Sequence, residues 1–222
     1  MKMLKSITSK MTLVLFVIFF ISIAGCGPTP TEIDNTEINT SEGPTISTCE
    51  GKKKIIKKTK DGEVILEPIA EYKVAGVIAR KNMWEGATTL REKWHTASFP
   101  CDLQLYWGEL ANPEIRKYIK YNKWSGATTI EKGFPYKHSY IYNHSSRYYI
   151  CSATDNIEKA LKGLKIWQEV VLEGYIVNSK VRYKGYTYWG DTDLKNPRKC
   201  KQFYVEKVKI GSKKKIGTAP IY

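Results

Sequence analysis

The chain has 222 residues, 42% hydrophobic and 26% charged, with 36 Lys and Arg against 22 Asp and Glu for a net charge of +14. That length accommodates one ordinary domain with appendages, and the composition is that of a globular protein, which excludes a wholly disordered one. The 15 Tyr, 6 Trp and 6 Phe lean towards sheet rather than helix bundle.

Residues 1–25 read as a targeting segment and stand outside the fold. Lys2, Lys5 and Lys10 form a positive start, followed by the apolar run Met11 to Ile23. That run is shorter than the roughly 20 residues a bilayer-spanning helix needs. The next residues, Ile23-Ala24-Gly25-Cys26, resemble the lipobox of bacterial lipoproteins. The resemblance implies a diacylglycerol on the Cys26 thiol and cleavage just before it. Two acyl chains anchor stably where one is marginal. Gly27, rather than Asp, follows the cysteine, which points to the outer membrane if the source is Gram-negative.

Residues 26–50 read as a flexible acidic tether, rich in Pro, Thr, Ser and Asn, with five acidic residues and no basic one. The charge reverses in residues 51–61, where Lys52, Lys53, Lys54, Lys57, Lys58 and Lys60 form a candidate surface for an anionic ligand. Solvated lysines spread over every face are the plainer reading of the same run. Residues 62–211 form the expected β-rich domain, and 212–222 a basic tail.

Within the domain, Glu63–Leu66 and Tyr72–Arg80 read as a strand pair, and Cys101–Trp107 as an alternating strand ended by Gly108. Asn112-Pro113-Glu114 is a helix start, with Asn as cap and Pro at the first position, for a helix to about Lys120. Tyr140–Cys151 reads as one or two aromatic strands around a turn. Asp155 and Glu158 suggest a capping box for a helix to about Leu164 that buries Ile157, Ala160, Leu161 and Leu164. Glu169–Val177 is the strongest strand. A hairpin arm near Val181–Trp189 follows, then Lys201–Ile210 with a phase slip. The fold class expected is mainly β with two short helices (α+β). The favoured form is a small, partly open β-barrel of OB-like topology, and an α+β sandwich is the alternative.

Trp84-Glu-Gly-Ala-Thr-Thr-Leu90 recurs as Trp124-Ser-Gly-Ala-Thr-Thr-Ile130, either two equivalent loops presenting Trp or coincidence. With Tyr186 and Trp189, these tryptophans are the candidate aromatic contacts. Cys49, Cys101, Cys151 and Cys200 are candidate disulfide partners outside the cytosol, with three possible connectivities. Their spacings exclude a CxxC-type zinc or redox site.

The run Pro100-Cys-Asp-Leu-Gln-Leu-Tyr-Trp-Gly108, with Leu172-Glu-Gly-Tyr-Ile-Val177 and Cys200-Lys-Gln-Phe-Tyr-Val205, resembles a family of exported or membrane-associated bacterial proteins. The resemblance covers roughly residues 70–210. It implies a single domain and supplies no reaction, cofactor or catalytic residue.

His95, His138 and His144 lack neighbours at ligand spacing, so no metal site is expected. Asp102 reads as a turn cap or as one half of a buried ion pair with a lysine. Asp191 and Asp193 resemble half a calcium loop but lack its later acidic ligand, so a hairpin turn is expected. No nucleophile elbow or phosphate-binding glycine loop occurs, and neither a catalytic residue nor a cofactor is expected. Tyr118, Tyr121 and Trp124, or Tyr183, Tyr186, Tyr188 and Trp189, interleave with lysines and invite a nucleic-acid reading, against which the exported compartment speaks.

The function expected is that of a membrane-anchored, exported, non-enzymatic binding or envelope-assembly module. Its partners would be membrane lipid through Cys26 and an envelope protein or anionic polymer. The alternatives are an envelope enzyme acting on polysaccharide or peptidoglycan through Asp102 and a second acid, and a nucleic-acid-binding OB-like domain.

Overall fold

The computed structural model describes residues 37–59, 61–83, 98–121, 128–196 and 199–211. Its organising element is a 22-residue strand, β3, Gly62–Met83. Pro68 lies inside it, where the two strands expected on either side were to be separate. Pro68 stands opposite Val177 at the edge of a slip in the ladder between Pro68 and Ala70, where one extra residue bulges out, a place at which a strand tolerates proline. The bulge also moves the even-numbered residues from one core to another. Val64 and Leu66 belong to one buried cluster, whereas Tyr72, Val74 and Ile78 belong to the main one.

One edge of β3 pairs with β8, Glu169–Tyr183, from Gly62 to Val77. The other edge is shared in turn by β2 (Ile55–Thr59), β1 (Thr45–Ser47) and β4 (Cys101–Tyr106), all antiparallel. β4 pairs with β7, Ser145–Ser152, and β7 runs parallel to β10, Lys201–Ile210. β10 returns antiparallel to β8. The pairings β3–β4–β7–β10–β8–β3 therefore form a circuit. The remaining strand of this sheet, β9 (Tyr186–Gly190), pairs with β8, and β5 (Ile119–Tyr121) and β6 (Thr128–Ile130) make a separate two-stranded sheet. The protein is mainly β, as expected.

The main core draws on all five strands of this circuit. Tyr72, Leu103, Leu105, Tyr148, Ile150, Leu172, Ile176, Phe203 and Val205 are all buried there. Burying a side chain of this size is worth about 1.5–3 kcal/mol, so the set dominates the stabilisation. The expected phase slip in β10 occurs between Val205 and Lys207. Gly174 sits opposite Val205 in β8, where an added Cβ would strike the Tyr204 carbonyl.

Three α-helices, not two, are present among the described residues. α1 is the single turn Pro113–Arg116, shorter than expected, with the Asn112 side chain accepting from Glu114 N at 3.0 Å. α2, His138–Asn143, replaces the first half of the aromatic strand expected over Tyr140–Cys151. Tyr140 stacks on His144, the residue that caps α2 (centroids 3.7 Å), a spacing of four that a helical turn satisfies and a strand does not, and on Tyr136 ahead of the helix (4.4 Å). α3, Asp155–Gly163, is capped by Thr154 rather than Asp155. Its Ile157, Leu161 and Leu164 are buried in the main core as expected, with Ala160 packed beside them. Lys81 donates to the carbonyls of Lys162 (2.5 Å) and Leu164 (2.8 Å), closing the C-terminal end of α3 against the sheet.

The described part of the expected tether, residues 37–50, lies on the sheet. Ile38 is buried, Thr40 O accepts from Gly108 N at 2.8 Å, and β1 pairs with β3. Residues 1–25, the lipobox and the tail 212–222 lie outside the described residues.

Candidate functional site

β4 alternates strictly. Cys101, Leu103 and Leu105 enter the main core, so Asp102, Gln104 and Tyr106 point the other way. Register then makes a row across three strands: Arg80 of β3 opposite Gln104, and Gln104 opposite Arg147 of β7. Arg80 reaches this row because the β3–β4 ladder slips between Ile78 and Arg80. Ile78 is buried in the core opposite Leu105. Without the extra residue Ala79, Arg80 would share that inward face.

Asp102 anchors the row from below and is fully buried. Arg147 Nε donates to Asp102 Oδ1 at 2.8 Å and to Oδ2 at 3.0 Å, and Arg147 Nη2 donates to Oδ2. Arg80 Nη2 lies 3.9 Å from Oδ2. The hydrogen bonds that the Arg147 guanidinium donates to Asp102 hold it above its ordinary pKa, so it stays charged. The expected buried ion pair exists, with arginine rather than lysine as its partner. Two guanidiniums share one carboxylate, which leaves a surplus positive charge. Each also lies over a ring: Arg80 over Tyr121 at 4.8 Å and Arg147 over Tyr149 at 5.3 Å.

Above the row is a cavity of about 250 Å³. Arg80, Gln104 and Arg147 line it together with Ser145 and Ser146. Thr128 and Ile130 of β6, His138 and Tyr142 of α2, and Cys200 complete it. Ser146 Oγ accepts from Lys201 Nζ at 3.1 Å, and burial lowers the pKa of that lysine. Hydrogen-bond donors outnumber acceptors here, and two of the donor groups are planar guanidinium forks. Such a set matches the oxygens of a phosphate or carboxylate group.

The other sequence-predicted residues are scattered. Cys26, Lys60, Trp84, His95 and Trp124 lie outside the described residues, as does the whole first copy of the repeat. Thr128–Ile130, the end of the second copy, is β6. His138 lines the cavity, but His144 is in the ring stack of α2 and lines a different cavity beside Gly108 and Glu109. Asp193 accepts from Lys195 N at 3.0 Å and lies 3.6 Å from Lys199, as a turn residue does.

Lys52 and Lys54 pair with Glu71 and Glu67 of β3, and Lys57 donates to Ser152 O, so three of the five described lysines in this run are partnered within the fold. Lys53 and Lys58 are exposed. The four described cysteines are free thiols. Cys101 faces the main core opposite Ile150, while the adjacent Cys151 falls in the other cluster, so the sheet lies between them. Tyr186 and Trp189 are exposed on β9, far along the β3–β8 ribbon from the row.

Arg80 and Arg147 carried no signal in the sequence, because only lateral register brings them together. Among the described residues, no cluster of three or more His, Cys, Asp and Glu is arranged to hold a metal ion, and no helix is long and apolar enough to cross a membrane. The chain matches no family model, no curated protein and no solved structure.

Proposed function

We propose that this chain is an exported, non-enzymatic binding module, tethered to a membrane by lipid on Cys26, that takes an acidic group of an envelope component in the cavity above Arg80, Gln104 and Arg147. The observation that carries the reading is the bulge at Ala79, which turns a second arginine out of the core and into line with the first. A bulge beside a site commonly re-aims a side chain.

The scaffold we assign is a small OB-type barrel. Its supports are the circuit of five paired strands, the parallel β7–β10 contact, and α3 inserted between β7 and β8 with its apolar stripe in the core. In such folds the second and third strands present the ligand face, and here those are β4 and β7. The lipobox, the basic composition and the resemblance to exported proteins support the envelope setting. An envelope hydrolase would use Asp102 as an acid, yet that carboxylate is buried and engaged by Arg147.

The test is calorimetric titration of the full-length protein in detergent with acidic wall-polymer fragments and with inorganic phosphate. Arg80→Gln spares the Asp102–Arg147 fork and is expected to weaken binding at least tenfold, equivalent to about 1.4 kcal/mol. Binding that ignores Arg80→Gln refutes the site. The anchor is tested separately: labelled palmitate is expected in the wild type and absent from Cys26→Ala.

A further inference from the structure

The β3–β8 ribbon runs past the main core and is broadened there by β2 and β9, each pairing along one side. One face of this four-stranded extension is buried through Val64, Leu66, Val181 and Tyr183. By alternation the opposite face belongs to solvent and should be polar. It is not. Register sets Ile56 opposite Ile65, Ile65 opposite Lys180, and Lys180 opposite Trp189, a continuous row across all four strands. Trp189 is 69% exposed and Ile56 59%, the two highest values among the exposed large hydrophobic residues described.

The next row is Lys58, Glu63, Arg182 and Thr187, and Lys54 and Glu67 lie on the far side. Glu63 ion-pairs with Arg182 at 2.5 Å and Glu67 with Lys54 at 3.4 Å, so both carboxylates are neutralised. Lys58 and Lys180 have no carboxylate partner among the described residues, and the Lys180 ammonium lies 4.4 Å over the Trp189 ring. The face therefore has an apolar middle, an amphipathic indole and surplus positive charge. No residue of the row lines the arginine cavity.

We infer that this face docks on the surface of an anionic phospholipid bilayer, with Trp189 and Ile56 entering the headgroup layer and Lys58 and Lys180 meeting lipid phosphates. The inference rests on the lipid-anchored reading above and assigns the anchored domain a preferred side. Charge complementarity selects the occupant. Tryptophan partitions to the membrane–water interface, lysine stems lie along apolar surface while their heads reach anionic groups, and each such lysine adds to the attraction.

The test uses the full-length protein reconstituted into vesicles containing lipid brominated at shallow acyl carbons, a quencher of nearby indoles. In phosphatidylglycerol vesicles the wild type is expected to lose more emission than Trp189→Phe, the difference being the Trp189 contribution. That difference is expected to fall at least twofold in Lys58→Gln/Lys180→Gln, at molar salt, and in phosphatidylcholine. All three substituted positions face solvent at least in part, so these variants keep the fold. Flotation of the same vesicles reports the anchor independently. Protein that floats with Trp189 unquenched overturns the docking face alone, and protein that does not float overturns both readings. Quenching that falls as protein is concentrated, with a dimer detected by light scattering, also overturns the inference, because a second copy then covers the face.

Discussion

Asp102 and Arg147 sit on neighbouring strands one ladder step apart, and the fork between them decides what each can tolerate. The carboxylate has no solvent exposure, while the Arg147 side chain is 31% exposed. Removing the arginine strands a buried charge, which typically costs about 3–5 kcal/mol, and Arg80 at 3.9 Å offsets part of that. We expect Arg147→Met to lower stability by about 3 kcal/mol in urea denaturation. Asp102→Asn/Arg147→Met should then be less destabilised than the sum of the single changes, with a coupling on the order of 1–3 kcal/mol. Additive effects would show that the fork contributes nothing as a pair. Asp102 was legible in the sequence because a carboxylate opening an apolar strand demands a partner. The partner was not, since the β4–β7 register that sets Gln104 beside Arg147 leaves no trace in the spacing of 45 residues between Asp102 and Arg147.

At the scale of elements, the β8–β9 hairpin closes on Lys184 (φ 48°) and Gly185 (φ 81°), both left-handed, between the paired Tyr183 and Tyr186. Two such residues make the turn that matches strand twist, and asparagine occupies the first position at lower strain than lysine. Lys184→Asn is expected to stabilise the protein by about 0.5–1 kcal/mol, read as a rise in Tm. An unchanged or lower Tm would mean that Lys184 contributes more through its place over the Tyr183 ring than it costs in backbone strain. Period-two runs made β4, β8 and β10 visible beforehand, and the 3.6-residue stripe of Ile157, Leu161 and Leu164 did the same for α3. The aromatic composition of Tyr140–Cys151 suggested strand throughout, whereas its first four residues belong to α2. β propensity is a weak prior, and here the Tyr140 ring stacks on His144 four residues on, across the end of a helical turn.

For the molecule as a whole, the buried acids of the core set its alkaline limit. Burial pushes the Cys101 thiol up to about 12 and the Tyr106 and Tyr148 hydroxyls to about 12, and it raises Tyr72 further, helped by the 2.9 Å contact with Tyr148. Each of these groups keeps its proton longer folded than unfolded, so the unfolded chain binds fewer protons above pH 9. Their contribution is intact below the unfolded values of 9.0 for the thiol and 10.0 for tyrosine, and it is lost as pH rises towards 12. Lys201 acts with the opposite sign, because burial lowers its pKa, but the buried thiols and tyrosines outnumber it. Stability is therefore expected to hold to about pH 9 and then to fall by roughly one kcal/mol per group per pH unit beyond each unfolded value, measured by denaturant titration across pH 8–12. A flat profile would mean that the core opens to water at these groups.

The sequence by itself determined the β-rich class, most strand and helix positions, and the slip in β10. All of these follow from the local alternation of apolar residues, which each segment carries in its own chain. Only the tertiary structure decided that Pro68 lies within one long strand, that residues 37–50 belong to the sheet, and that Arg80 stands beside Gln104 and Arg147. The row Ile56, Ile65, Lys180 and Trp189 is of the same kind. These are facts of lateral register between segments up to 133 residues apart, from Ile56 to Trp189. A bulge of one residue reverses every side chain beyond it, so these rows become readable only when the strands are paired.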